Sequence, residues 1–205
     1  MIFDIVYKIL PILVLIALFV IAMYFFIKYY NRTKKANTIL KNQVSKRVGT
    51  LEKIHFNEVS STLTAYYRGF RVKIYTTAVY LTGEQIYFLV SFGKILENSI
   101  TIKYRNRLST ASQGSTKSGY IETGNPEFDV LYKVIGKNPK FTTDMLTADI
   151  QKNLLETKNY KPFIELEGDN LKLVVQNFVL IDEDFDKLIE VVLKFIDRLI
   201  ELKVF

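Results

Sequence analysis

The chain has 205 residues, is 49% apolar, and contains no cysteine and one histidine. That is enough for one ordinary domain plus an appendage; it leaves disulfides and thiol chemistry without residues, and zinc or triad chemistry with His55 alone. The net charge of +7 sits in residues 1–50, where eight Lys and Arg face one Asp. Residues 51–205 carry twenty basic and twenty acidic groups, so no nucleic-acid partner is expected of the folded part.

From Ile9 to Ile27 run nineteen residues without charge, ILPILVLIALFVIAMYFFI. As a helix they would extend roughly 28 Å, the thickness of a bilayer core. A signal peptide would be shorter and would end in small residues, whereas this run ends in YFFIKYY, whose tyrosines suit a membrane interface. A buried core helix is the alternative, but it would have to hide apolar residues on every side. Residues 1–30 are therefore expected to be a single-pass transmembrane anchor. Lys8 precedes the span, offset by Asp4; Lys28, Arg32, Lys34, Lys35, Lys41, Lys46 and Arg47 follow it. This asymmetry predicts the N-terminus outside and the main domain cytoplasmic, with the first five of those basic residues held near anionic membrane lipid. The absence of Cys fits a reducing compartment.

Residues 31–50 keep a helical period at Leu40, Val44, Val48 and Leu51 and are read as a basic juxtamembrane helix ending at Gly49, or else as a frayed tether. From Ser60 the chain turns β-branched and aromatic, with alternation at Leu63, Ala65, Tyr67 and at Val72, Ile74, Thr76. Turn signals at Gly69 and at Thr82-Gly83-Glu84 predict three or four antiparallel strands in a meander. Leu108 to Gly119, polar and small throughout, reads as a loop.

Next comes TGNPEFD, Thr123 to Asp129. It has the look of a catalytic signature, yet Asn125 suits a helix N-cap, Pro126 the first helical position, and Glu127 and Asp129 the acid-favouring first turn. It is read as a capped helical turn. Phe128 and Leu131 then point to the core and a strand follows in Val130 to Ile135, beginning by Tyr132. A helix is expected in TTDMLTADIQKNLLETK, capped by Thr142 or Thr143, with Met145, Leu146, Ile150, Leu154 and Leu155 inward. A hairpin turning at Gly168-Asp169 and a final helix of about five turns complete the chain.

The segment Gly124-Asn125-Pro126-Glu127-Phe128-Asp129, followed by Val134-Ile135-Gly136 and the helix with Leu146, Ile150, Leu154 and Leu155, resembles a loosely defined group of uncharacterised prokaryotic membrane-anchored proteins. The likeness covers about Tyr120 to Phe178, together with the step from Tyr67 to Gly69. It implies membrane attachment and an α+β domain, and it carries no activity. The expected fold class is thus α+β: an N-terminal transmembrane helix, a juxtamembrane helix, then one domain over 51–205 in which helices pack on a largely antiparallel sheet and a long helix closes the chain.

Three near-motifs fail. Gly114 to Gly119 has phosphate-loop composition, but its Lys does not follow the second Gly. Asp182, Asp184 and Asp186 begin like a calcium loop whose turn Gly is replaced by Lys187 and whose closing acid is replaced by Leu193, so they read as helix N-terminal acids. Arg68 to Tyr75 lacks the stacking pattern of an RNA-binding strand. Glu165 and Glu167 share one strand face and should meet water. No catalytic, cofactor or metal residues are assigned and no enzyme is expected.

The leading expectation is an interaction or accessory protein, binding a protein partner or itself. Its candidate surface is the stripe Leu188, Val192, Phe195, Leu199 and Leu202 on the last helix, beside a second stripe of Ile189, Leu193, Ile196 and Ile200. The alternative is a binding domain for lipid or a small apolar ligand, with a deep apolar pocket. A hydrolase using Glu122, Glu127 and Asp129 would need them to converge in one cleft.

Overall fold

The computed structural model describes residues 2–47, 50–79, 83–105, 120–176 and 182–205, with side chains for all of these except 2–13, 29, 32–33, 35–36, 78–79, 83–84 and 176. Two compact units divide between Ile39 and Leu40. The first belongs to a single helix, α1 (Ile2–Lys46), whose last turns, from Leu40 on, form part of the second unit. Helix therefore continues through the basic stretch that was left open between helix and tether. Among the described residues no helix is long and apolar enough to cross a membrane. The expected span, Ile9 to Ile27, begins outside the described side chains, which start at Val14.

The second unit is a two-layer α+β fold. Its strands are β1 (Glu52–Asn57), β2 (Thr62–Tyr67), β3 (Phe70–Val79), β4 (Gly83–Ser91), β5 (Ile100–Tyr104), β6 (Tyr132–Gly136), β7 (Phe163–Glu167) and β8 (Asn170–Gln176). They form one eight-stranded sheet in the order β1-β2-β3-β4-β8-β7-β5-β6, antiparallel at every pairing. The predicted meander is present, with β1 added at its start. That strand, EKIHFN, has no clean alternation because its register shifts between Glu52 and His55; a bulge of this kind hides the two-residue period. The β2–β3 turn at Arg68 and Gly69 has both residues at positive φ, 52° and 84°, the geometry that lets a two-residue loop follow the strand twist. Gly168 at the β7–β8 turn is also at positive φ. Residues 108–119 and the Thr82 part of the expected β3–β4 turn lie outside the described residues.

From β2 onward alternate strand residues are buried on one face, among them Leu63, Val72, Ile74, Phe88, Ile102 and Leu173. Helices α2 (Pro126–Leu131), α3 (Pro139–Met145), α4 (Ala148–Glu156) and α5 (Asp182–Glu201) supply the second layer. Phe185 of α5 meets Phe88 of β4 at 5.4 Å between ring centroids, while Tyr132 of β6 donates its hydroxyl to the Leu154 carbonyl of α4 at 2.7 Å. Nine apolar side chains of α5 are buried. At about 1.5–3 kcal/mol each, their gross contribution far exceeds that of the ion pairs around the helix, at about 0–1 kcal/mol apiece. Burial places α5, and the charges select its orientation.

The single helix expected over residues 142–158 is two, broken at Leu146, and its caps differ from those expected. Asn138 caps α3, accepting from Phe141 N at 3.2 Å, and Pro139 stands in the first turn. Thr147 precedes α4 without a side-chain capping bond. The Gln151 amide donates to the Leu146 carbonyl at 2.8 Å, so the break leaves that buried acceptor satisfied. Met145, Leu146, Ile150 and Leu154 are buried as predicted.

Gly136 ends β6 where α3 returns. A Cβ there would overlap Thr142 Oγ1 and approach Ile121 Cδ1 at 3.1 Å. Gly136→Ala should cost about 1–3 kcal/mol by overpacking; Thr142→Ala in the same chain should recover part of it. Urea midpoints of the two single variants and the pair will show the coupling, and strict additivity would rule the contact out.

Burial, with the nearby Tyr104, raises the Tyr132 phenol far above its ordinary value; burial and the hydrogen bond to Asp197 raise that of Tyr67. A phenol with a raised folded pKa keeps its proton after the unfolded chain has lost one. Its contribution is therefore complete below about pH 10 and declines as pH rises past that value. Stability against urea should fall on the alkaline side from about pH 10, and Tyr132→Phe should flatten that fall while costing about 1 kcal/mol at neutral pH.

Candidate functional site

TGNPEFD is a cap. Asn125 accepts from Phe128 N at 3.3 Å, Pro126 opens α2, and Glu127 and Asp129 occupy its first turn. Asp129 also accepts from Thr123 N at 3.0 and 3.1 Å and from the Thr123 hydroxyl at 3.0 Å, which ties the preceding loop to the helix. Phe128 is fully buried, stacked on Tyr132 at 4.7 Å. The same device recurs thirteen residues on, where Asn138-Pro139-Lys140-Phe141 caps α3 and buries Phe141. Sequence inspection missed this repeat, although the spelling Asn-Pro-x-Phe occurs in both places.

Among the described residues, Glu122, Glu127 and Asp129 do not line one groove together, whereas Glu127 shares a groove with Glu156, and Glu165 shares another with Glu167. Glu122 is exposed, Asp129 is committed to the cap, and Glu127 lies at the rim of a groove of about 370 Å³ with Asn125, Lys152, Leu155, Glu156 and Lys158. Glu156 pairs with Lys187 at 2.9 Å, which holds its carboxyl below the ordinary value and the ammonium of Lys187 above its own. Glu165 and Glu167 face outward, Glu165 pairing with Lys172 at 3.5 Å beside a second groove of about 300 Å³. Charged and polar residues outnumber apolar ones around both grooves, with Leu155 in the first and Leu89 in the second. Among the described residues no three His, Asp or Glu side chains are grouped to hold a metal ion. His55 lies exposed on β1, opposite Thr64.

The candidate interaction stripe is core. Leu188, Val192, Phe195 and Leu199 are buried, Leu202 is half-buried beyond the helix end, and of the second stripe only Ile200 is exposed. The surplus apolar width is covered because α5 has the sheet beneath it and neighbours at its sides. On the α4 side, Lys194 reaches Asp149 at 3.2 Å and Lys187 reaches Glu156. At its start, Lys46 and Arg47 bind Asp182 and Asp186, with Arg47 at 3.1 Å from Asp186. Asp184 accepts from the Tyr160 hydroxyl at 2.6 Å. The three aspartates thus serve the start of the helix, as the sequence indicated. At its far end Tyr67 donates to Asp197 at 2.7 Å, and Phe205 packs on Phe70 and Phe92 at 4.7 and 5.2 Å.

Of the basic cluster, Lys28, Lys34 and Lys41 are exposed, with Lys28 lying 5.8 Å from the centre of the Tyr24 ring. The side chains of Arg32 and Lys35 lie outside the described residues. Two surfaces stand out instead. From Val14 to Ile27 on α1 the large apolar side chains are all exposed, from 43% at Met23 to 68% at Phe19. The face of the sheet opposite the buried one carries lysines set against aromatic rings.

No family model matches the sequence, and no curated protein matches it either. Among solved structures, the chain is similar to the crystal structure of the mycobacterial trehalose monomycolate transport factor A, TtfA, with a TM-score of 0.50 at 9% identity over 82% of this chain and 94% of that one. At that identity the likeness is one of fold.

Proposed function

We propose that the chain is a membrane-anchored accessory protein: α1 inserts in the bilayer, and the α+β unit works at the cytoplasmic face by binding rather than by catalysis. The observation that carries this reading is the exposed run Val14 to Ile27. Apolar side chains cover every side of that helix stretch, so no single packed neighbour could bury them, and water is a poor solvent for all of them at once. The five residues before it, Ile9 to Leu13, are also apolar in sequence, which extends the run to bilayer length. The exposed Lys28, Lys34 and Lys41 beyond it support an N-terminus-out orientation.

The fold likeness supports an accessory role beside lipid, because a protein of similar fold is a trehalose monomycolate transport factor. An enclosed lipid site in this chain draws no support from the two charged grooves, so the reading places lipid outside the domain. A protein partner or a second copy remains the expected ligand of the α+β unit, at a surface other than the α5 stripe.

The test uses two charges placed in the exposed run. Leu18→Arg with Ile21→Arg alters positions already open to solvent and should leave the fold intact, but it should cost about 5–7 kcal/mol of insertion. The natural chain is expected to remain with membranes through alkaline carbonate washing, and the double variant to be released. If the natural chain washes off, or the variant is retained equally, α1 is not an anchor.

A further inference from the structure

The outer face of the sheet is paved with cation–ring pairs. Lys73 lies 5.0 Å from the Tyr75 ring centre, Lys103 5.5 Å from Phe163, Lys172 5.8 Å from the same ring, and Lys133 3.7 Å from Tyr120. Tyr75 stacks flat on Tyr87 at 5.0 Å in the middle of the face. The β5–β6 end is the most unusual part. Lys103 and Lys133 stand directly opposite each other across the ladder, a like-charge placement that costs stability. Lys172 has Glu165 as counter-ion, but among the described residues neither Lys103 nor Lys133 has a carboxylate within ion-pair distance. A sheet that keeps an uncompensated lysine pair on its open face, over aromatic rings, is complementary to an anionic surface.

We propose that this face, centred on Lys103 and Lys133, docks on the anionic phosphates of a lipid bilayer; the inference rests on the anchoring reading, since α1 would keep bilayer close. Lysine ammoniums meet headgroup phosphates while tyrosine and phenylalanine rings sit at headgroup level. A broad antiparallel sheet with only a shallow groove suits a plane better than a small molecule. A nucleic acid is the weaker match, because the anchoring reading supplies a bilayer to the chain and nothing in the sequence supplies a nucleic-acid motif: Arg68 to Tyr75 lacks the stacking pattern of an RNA-binding strand.

The chain has no cysteine, so Thr101→Cys, two residues from Lys103 on the same face, gives one attachment point for a polarity-sensitive dye. The labelled full chain is reconstituted in phosphatidylcholine vesicles with and without phosphatidylglycerol, and flotation is recorded alongside emission. The expected result is flotation with both and a blue-shifted emission in the anionic vesicles alone, reversed by high salt. Lys103→Gln with Lys133→Gln should reduce the docked-to-undocked ratio by about thirtyfold, equivalent to about 1 kcal/mol per lysine. Flotation with unchanged emission in both lipids overturns the docking face and leaves anchoring intact. A chain that floats with neither removes the anchoring reading and this proposal together. A larger emission change with single-stranded RNA than with anionic vesicles reassigns the face to nucleic acid.

Discussion

The fold depends on covering α5. A twenty-residue helix with two adjacent apolar stripes cannot rest on one flat neighbour, because a sheet covers only about a 100° arc of a helix. The rest of the circumference has to be closed from the sides. The sheet supplies the floor through residues such as Phe88, α4 closes one flank, and the last turns of α1 abut its start. Polar contacts follow its length, from Arg47 and Tyr160 at the N-terminal end to Tyr67 at the far end. Each is individually weak at the surface. Together they oppose rotation or sliding of a helix whose apolar contacts are non-directional.

The β6 end of the sheet is organised by a repeated local device. Asn-Pro-x-Phe opens α2 and again opens α3, each time using the Asn side chain to satisfy an orphan N–H and the proline where its missing N–H costs nothing. The phenylalanine three residues after each Asn is thereby aimed inward. Between the two devices lies β6, only five residues long, and Gly136 at its end admits Thr142. Tyr132, buried in this strand, bonds the Leu154 carbonyl and so joins the sheet to α4. The segment that looked chemical is a means of inserting one strand between two helical turns.

Among the described residues, the acids that sequence brought forward cap, pair or face solvent, and Glu127 and Glu165 each border a groove. The unusual features are an apolar run on α1 with no side covered and a sheet face where lysines lie over rings. An apolar helix and a basic aromatic plane are complementary to the two chemical layers of one environment, hydrocarbon and phosphate.

The local signals in the sequence were readable because their causes lie within a few residues: the hairpin turns at Gly69 and Gly168, the cap at Asn125, the extent of α5, and the apolar run of α1. The break between α3 and α4 escaped because Leu146 is apolar and suits a continuing helix, and the Gln151 bond that satisfies its freed carbonyl is visible only once folded. Strand β1 escaped because its bulge breaks the alternation. The fate of the α5 stripe could not be read at all. Periodicity determines how wide an apolar face is; only the tertiary arrangement decides what covers it, since β4, α3, α4 and the end of α1 meet α5 from distant parts of the chain. For the same reason the sequence alone determined that Lys103 and Lys133 exist as scattered charges, and the β5–β6 register decided that they stand side by side.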